Sequence, residues 1–117
     1  MRQGKPLVWM AVTAAIGAGV AGVALQSAWA DDGYVMTFKN NKLEPAELAV
    51  PAGKEFKLVV KNADQTPEEF ESGDLKIEKI IAGGSEAEFT IKALDAGSYE
   101  VYGEFHEDTA KGNIVAK

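Results

Sequence analysis

The chain has 117 residues, with 18 acidic side chains against 12 lysines and arginines, and it has no cysteine. Its net charge of −6 argues against nucleic acid or an anionic membrane surface as a partner, and it suits a site that attracts cations. The lack of cysteine excludes disulfides, thiol redox chemistry and thiolate metal sites.

The first 30 residues are predicted to be a signal peptide. Arg2 and Lys5 form a short basic start, and an uncharged stretch then leads to the tripeptide A-W-A, a signal peptidase pattern. Cleavage before Asp31 and export by the general secretory route are predicted, because there is no twin-arginine pair. The alternative is an uncleaved anchor, since the uncharged stretch approaches the roughly 20 residues that a membrane span needs. After cleavage no membrane span would remain.

Residues 31–117 are predicted to form one domain with a single core. Alternation of apolar and polar residues predicts short strands, separated by turns, at 34–39, 47–50, 55–62, 86–92 and 112–117. Residues 75–81 and the stretch that begins at Gly97 are further strand candidates. About seven or eight short strands without a helical period indicate an all-β, antiparallel Greek-key sandwich. Met36 is predicted to fill the core.

The segment T-P-E-E-F-E-S, residues 66–72, allows two interpretations. Pro67 could open an acidic helical turn with the glutamates in its first turn. As a strand, the segment would turn Glu68 and Phe70 inward and Glu69 and Glu71 to the other side. The length of the segment favours the strand.

The stretch from Gly97 to Gly112 holds the one histidine of the chain, His106. If a strand continued through it, Phe105 would share the face of Val101, and His106 would lie on the opposite face. The preceding run L-D-A-G-S-Y is typical of a tyrosine corner, in which the Tyr99 hydroxyl donates a hydrogen bond to nearby backbone.

Y-E-V-Y-G-E-F-H, followed by a short loop and G-N-I-V, resembles the penultimate strand, metal loop and last strand of the cupredoxins. His106 matches the loop histidine of that pattern, and Gly103 stands where the copper-binding cysteine would be. The other family histidine follows a proline, and here Glu68 follows Pro67 at that place. Without the thiolate, a type 1 copper centre is not available. Oxygen-rich sites with one nitrogen suit iron or Cu(II).

Three segments together resemble the EfeO-type cupredoxin-like domain of bacterial periplasmic iron-uptake systems, including short stand-alone members of ferrous-iron transport operons. They are T-P-E-E-F-E-S, D-L-K-I-E-K-I and G-E-F-H-E-D-T-A-K-G, and the resemblance covers nearly all of residues 34–116. It implies a cupredoxin-like sandwich, a periplasmic location and a role in handling iron, alone or with copper. It also implies two partners, an inner-membrane iron permease and a second periplasmic metal-binding protein.

The first functional hypothesis is therefore a periplasmic protein that captures or presents iron. The expected metal ligands are Glu68 and His106, with neighbouring carboxylates completing the shell: Glu69, Glu71, Glu107 and Asp108. The alternative from the enzyme class is a ferroxidase, which would need bound copper or a partner protein as electron acceptor. A third hypothesis is a metal-free interaction module built on the sandwich. No catalytic residue is predicted.

Overall fold

The computed structural model describes residues 33–117, and the predicted signal peptide lies outside the described residues. This part of the chain forms nine β-strands and one 3-10 turn, Glu104–His106, that directly follows β8. The strands are β1 (Gly33–Lys39), β2 (Lys42–Glu44), β3 (Glu47–Val50), β4 (Phe56–Asn62), β5 (Glu68–Ser72), β6 (Ile77–Ile81), β7 (Glu86–Ile91), β8 (Gly97–Gly103) and β9 (Lys111–Ala116).

The strands form two sheets, which confirms the all-β sandwich. One sheet has four strands in the order β2-β1-β4-β7, and the other has five in the order β3-β9-β8-β5-β6. Strand β5 therefore lies between β8 and β6 in the five-stranded sheet. This neighbourhood places the acidic segment of β5 beside the end of the strand that leads to His106.

Both sheets are mixed, whereas the sequence pattern predicted antiparallel pairing. Among residues 33–117, β1 pairs with β4 and β3 pairs with β9 in parallel, while the other five pairings are antiparallel. The sequence pattern could not distinguish these arrangements, because alternation reports which side chains share a face and not the direction of the neighbouring strand.

Strand β2 lies between the predicted strands 34–39 and 47–50, where no strand was predicted. Asn40 and Asn41 form a two-residue connection between the paired residues Lys39 and Lys42, and both asparagines have positive φ, 56° and 59°. Positive φ at both positions is the geometry of a type I′ hairpin turn. The carboxylate of Asp64 accepts hydrogen bonds from both asparagine N–H groups, at 2.7 and 3.0 Å.

The core lies between the two sheets and is built from the inward residues of the alternating strands. Its largest fully buried side chains include Phe38, Phe70, Met36, Leu58 and Ile114. The two phenylalanines pack edge to face, with ring centroids 6.1 Å apart. Complete burial of Met36 agrees with its predicted role in the core.

The tyrosine corner is present. The Tyr99 hydroxyl donates a hydrogen bond to the backbone carbonyl of Asp95 at 2.8 Å. This bond fixes the entry into β8, which pairs with β9 on one side and with β5 on the other.

Asn62 anchors the connection that leads into β5. Its side chain is buried, and its amide donates to the carbonyls of Thr66 and Ile81 at 2.8 and 3.0 Å. Its side-chain oxygen accepts the N–H of Asp64 at 3.1 Å. The loop between β4 and β5 is thus held by one side chain.

We expect Asn62→Ala to destabilise the protein by about 2 kcal/mol or more, because each buried backbone group left without a partner costs about 1–3 kcal/mol. Urea unfolding measures this change. Asn113→Ala, at an exposed position, is the matched control and should change stability by less than about 0.5 kcal/mol. Equal stabilities of the two variants would contradict the anchoring role of Asn62.

Candidate metal centre

Residues 68–72 form a strand, which decides between the two sequence interpretations. Glu68, Phe70 and Ser72 are buried on the core side, while Glu69 and Glu71 alternate with them and are half-buried on the outer face. The carboxylates of this segment are therefore divided between two faces. Glu68 cannot meet the same ion as Glu69 and Glu71 without a change in the strand.

The carboxylate of Glu68 lies inside the protein and contacts His106. Its side chain is 4% exposed, and its Oε2 lies 2.7 Å from Nδ1 of His106, whose side chain is 32% exposed. Its Oε1 accepts the backbone N–H of Phe105 at 2.9 Å and that of Glu69 at 3.1 Å. The structure thus brings together the two residues predicted to be the principal ligands, with both carboxylate oxygens already engaged.

Gly103 provides the space that this carboxylate occupies. A Cβ atom at position 103 would lie 2.6 Å from both Cδ and Oε2 of Glu68. The thiolate copper site of the cupredoxin pattern therefore does not fit this chain, which has no cysteine and fills the corresponding space with Glu68.

Strand β8 ends at Gly103, and the 3-10 turn follows directly. The predicted continuation of the alternation through His106 is therefore wrong. Phe105 is 49% exposed and does not share the buried face of Val101. The turn reverses the chain, and Ala110 and Thr109 donate their N–H groups to the carbonyl of His106 at 2.8 and 3.1 Å.

Four carboxylates converge on the outer face of the five-stranded sheet. Their ligand oxygens all lie within 4.8 Å of one another, and the residues are Glu69, Glu71, Glu78 and Glu104. We call this group the outer carboxylate cluster. Glu71 on β5 lies directly opposite Glu78 on β6. Like charges in directly opposite positions destabilise a sheet, so the local arrangement is electrostatically unfavourable without a cation.

The pKa values of the two central glutamates reflect this crowding. A hydrogen bond with Glu104, followed by burial, raises the pKa of Glu71 to about 7, and the charges of Glu104, Glu78 and Glu69 act in the same direction. Burial, then a hydrogen bond with Glu78, raises the pKa of Glu69. Within residues 33–117, Oε1 of Glu71 is buried and has no hydrogen-bond partner. A buried carboxylate oxygen without a partner is costly unless a hydrogen-bond donor or a cation meets it.

Glu107 and Asp108 lie outside the outer carboxylate cluster. They line a surface hollow of about 330 Å³ with Glu100, Tyr102 and Lys111. They also line a second hollow, of about 480 Å³, that contains His106. The structure therefore divides the six predicted ligands among the interior, the outer cluster and the loop surface.

The ligands expected from the sequence include neither Glu78 nor Glu104. Glu78 lies on a different strand from Glu71, seven positions along the chain, and it joins the cluster only through the register of β5 with β6. A signal for Glu78 was present in the sequence, because a short turn separates the strands that became β5 and β6. If these strands form a hairpin, Glu71 and Glu78 come to lie opposite each other.

The raised pKa of Glu71 makes the stability of the metal-free protein depend on pH. Glu71 keeps its proton in the folded protein up to about pH 7, whereas its ordinary pKa is 4.5. Its contribution to stability is complete below pH 4.5 and is lost as the pH rises through about 7. Urea unfolding across this window should show a steeper fall for the wild type than for Glu71→Gln, which does not titrate. Identical pH slopes would contradict the raised pKa.

A small two-sheet sandwich with a histidine loop after its penultimate strand defines a domain of the cupredoxin class. Residues 7–116 match the family model of the cupredoxin-like domain. The chain belongs to this family. Within residues 33–117, none of the helical segments is long and apolar enough to cross a membrane.

One curated relative is an uncharacterized protein of Rickettsia prowazekii (strain Madrid E). It is 41% identical over 80 residues, which are 68% of this chain and 64% of the relative. The chain thus matches less than two thirds of the length of that relative.

Three solved structures have the same fold as this chain at low sequence identity. Amicyanin from Paracoccus versutus has a TM-score of 0.58 at 16% identity, covering 74% of this chain and 82% of its own. A mutant amicyanin with Cu(I) has a TM-score of 0.59 at 20% identity, covering 73% and 82%. Reduced auracyanin from Roseiflexus castenholzii has a TM-score of 0.61 at 13% identity, covering 73% and 96%. These similarities establish the fold.

Proposed function

We propose that this chain is a periplasmic metal-binding protein that captures iron, alone or with copper, for an uptake system. The observation that carries the proposal is the outer carboxylate cluster, in which the buried Oε1 of Glu71 has no partner among residues 33–117. Four carboxylates at this spacing offer only oxygen donors, which suit hard cations.

A bound cation would remove the unfavourable electrostatics of the cluster. Its positive charge would favour the ionised forms of Glu69 and Glu71, whose pKa values are raised in the metal-free protein. Binding should then release protons, and affinity should fall as the pH drops below about 7, because protons compete for Glu71.

The resemblance to EfeO-type domains supports iron as the cargo and a place in a ferrous-iron transport system. In that setting, the chain would be exported with loss of residues 1–30. It would receive or deliver the ion beside an inner-membrane permease and a second periplasmic metal-binding protein. The exposed position of Glu78 and Glu104 leaves the proposed site open to such exchange.

Titration with Fe(II), Fe(III) and Cu(II) tests the proposal, with the wild type compared to Glu71→Gln. Loss of a residue that only hydrogen-bonds to a metal ligand typically weakens metal binding roughly 10- to 100-fold. Since Glu71 is the proposed ligand itself, we expect Glu71→Gln to weaken binding by more than this. Glu86→Gln removes an exposed carboxylate from β7 in the other sheet and is the matched control. Equal affinities of the wild type and Glu71→Gln for all three ions would exclude the outer carboxylate cluster as the site. An absence of binding in the wild type would favour a metal-free interaction module.

A further inference from the structure

The buried carboxylate of Glu68 connects two of the three segments that carry the outer carboxylate cluster, β5 and the 3-10 turn. Its Oε1 accepts the N–H of Glu69, the first cluster residue on β5. The same oxygen accepts the N–H of Phe105, the residue immediately after Glu104. One atom on the inner side of the sheet therefore ties together the backbones that place two carboxylates on the outer side.

His106 supplies the second connection. Its Nδ1 lies 2.7 Å from Oε2 of Glu68, so the last residue of the 3-10 turn is held by the same side chain as Phe105. A carboxylate only accepts, so Nδ1 of His106 is the donor in this hydrogen bond. The absent side chain at Gly103 leaves the space in which this contact forms.

Glu104 depends on these contacts because the strand ladder does not reach it. The pairing of β5 with β8 joins Glu71 to Tyr102 and Phe70 to Gly103, and it stops there. Beyond Gly103, the hydrogen bonds of Glu68 join the turn directly to β5. Without them, the turn would be held by the bonds within its own loop, such as those of Thr109 and Ala110 to the carbonyl of His106, and the Glu104 carboxylate could move relative to Glu69 and Glu71.

We propose that Glu68 and His106 are positioning residues that fix the 3-10 turn and thereby hold Glu104 in the outer carboxylate cluster. This inference rests on the proposed function of the cluster. Metal coordination by Glu68 would break hydrogen bonds to Phe105, Glu69 and His106, and its side chain is 4% exposed and faces away from the cluster. The pair therefore acts through Glu104 and not on the ion.

Replacement of His106 separates positioning from ligation. We expect His106→Ala to raise the dissociation constant for Cu(II) about 10- to 100-fold, the usual effect of losing a residue that orients a metal ligand without binding the metal. His106→Asn keeps an N–H donor near the place of Nδ1 and has no counterpart of Nε2, so it should restore the affinity to within a few fold of the wild type. The affinities are compared at a temperature where circular dichroism shows each variant folded.

Two outcomes would overturn the proposal. Unchanged affinity in His106→Ala would show that the turn needs no anchor. Affinity in His106→Asn as weak as in His106→Ala would show that the ring nitrogen itself is required.

Electron paramagnetic resonance of the Cu(II)-loaded wild type gives an answer that does not depend on a variant that folds. We expect a spectrum of oxygen ligands without nitrogen coupling from an imidazole. His106 is the one histidine of the chain, so imidazole nitrogen coupling in the wild type would identify it as a ligand and overturn the positioning role. Failure of the proposed function gives a different result from failure of the positioning role. If the outer carboxylate cluster is not the metal site, Glu71→Gln will bind Cu(II) as tightly as the wild type.

Discussion

The double variant Glu69→Gln/Glu71→Gln is expected to melt at a higher temperature than the wild type without metal, and to lose the response to metal. In the wild type, Glu71 faces Glu78 across the strands, and both replaced groups have pKa values raised by burial and neighbouring carboxylates. Above about pH 7 the wild type must hold these charges together, whereas the amides carry none. The variant therefore removes repulsion and ligands at once.

The metal response should be large in the wild type. A ligand at 100 times its dissociation constant stabilises a folded protein by about 2.7 kcal/mol. For a domain of this size, that corresponds to a rise of roughly 10–20 °C in melting temperature. Thermal unfolding with and without Fe(II), under anaerobic conditions, measures both effects.

Glu47→Gln/Glu86→Gln is the matched control, since it removes the same charge at two exposed positions outside the cluster. The control should keep the metal response of the wild type. A metal-free Glu69→Gln/Glu71→Gln protein that melts below this control would contradict the unfavourable electrostatics of the cluster. A full metal response in the same variant would place the ion elsewhere.

Gly103→Ala is expected to destabilise the protein by about 1–3 kcal/mol, the usual cost of inserting an extra group into a packed interior. The backbone at Gly103 is extended, with φ −98° and ψ 116°, so alanine is conformationally allowed. At an allowed position, Gly→Ala ordinarily stabilises by about 0.4–1 kcal/mol. Here the new Cβ would lie 2.6 Å from the Glu68 carboxylate, which cannot move aside without losing its hydrogen bonds.

A double-mutant cycle tests whether the clash with Glu68 is the cause. Gly103→Ala should cost less stability in the Glu68→Ala background, because the obstructing carboxylate is then absent. Gly33→Ala, at a strand position where a Cβ meets nothing within 4 Å, is the control in urea unfolding. Additive effects in the cycle, or equal stability of the two alanine variants, would exclude this account of Gly103.

Under the proposed function, the outer carboxylate cluster gives up stability of the metal-free protein in exchange for metal binding. Glu71 and Glu78 could each be neutral polar residues on the outer face of a sheet, where such residues are well tolerated. Their direct opposition is unfavourable in the metal-free protein. A hydrogen bond with Glu104 and burial, with a smaller effect from the charge of Glu78, raise the pKa of Glu71 to about 7. Strained electrostatics of this kind are typical of functional sites, where a ligand compensates the cost.

Several local features could be predicted from the sequence because they depend on residues close together in the chain. Alternation placed Glu68 and Phe70 inward and Glu69 and Glu71 outward, as the burial of β5 confirms. The tyrosine corner joins Tyr99 to Asp95 across four positions. The hairpin of β1 and β2 is equally local, but it was not predicted: neither β2 nor the positive φ of Asn40 and Asn41 was anticipated.

Other features required the tertiary structure because they join residues far apart in the chain. Alternation could not show that β8 ends at Gly103, since the apolar Phe105 continues the pattern while its backbone turns away. Nor could it show that Glu104 meets Glu69 and Glu71, because that contact depends on which strands are neighbours and in which register.

The sequence by itself determined the class of fold, the faces of the strands and the absence of a thiolate ligand, because composition and period-two patterning are properties of the chain alone. Only the tertiary structure decided how the acidic residues are grouped. Strand order and register brought Glu78 and Glu104 to β5, and the missing side chain of Gly103 admitted Glu68 to the interior. Contacts between strands follow from packing the whole sandwich, and no segment encodes them separately.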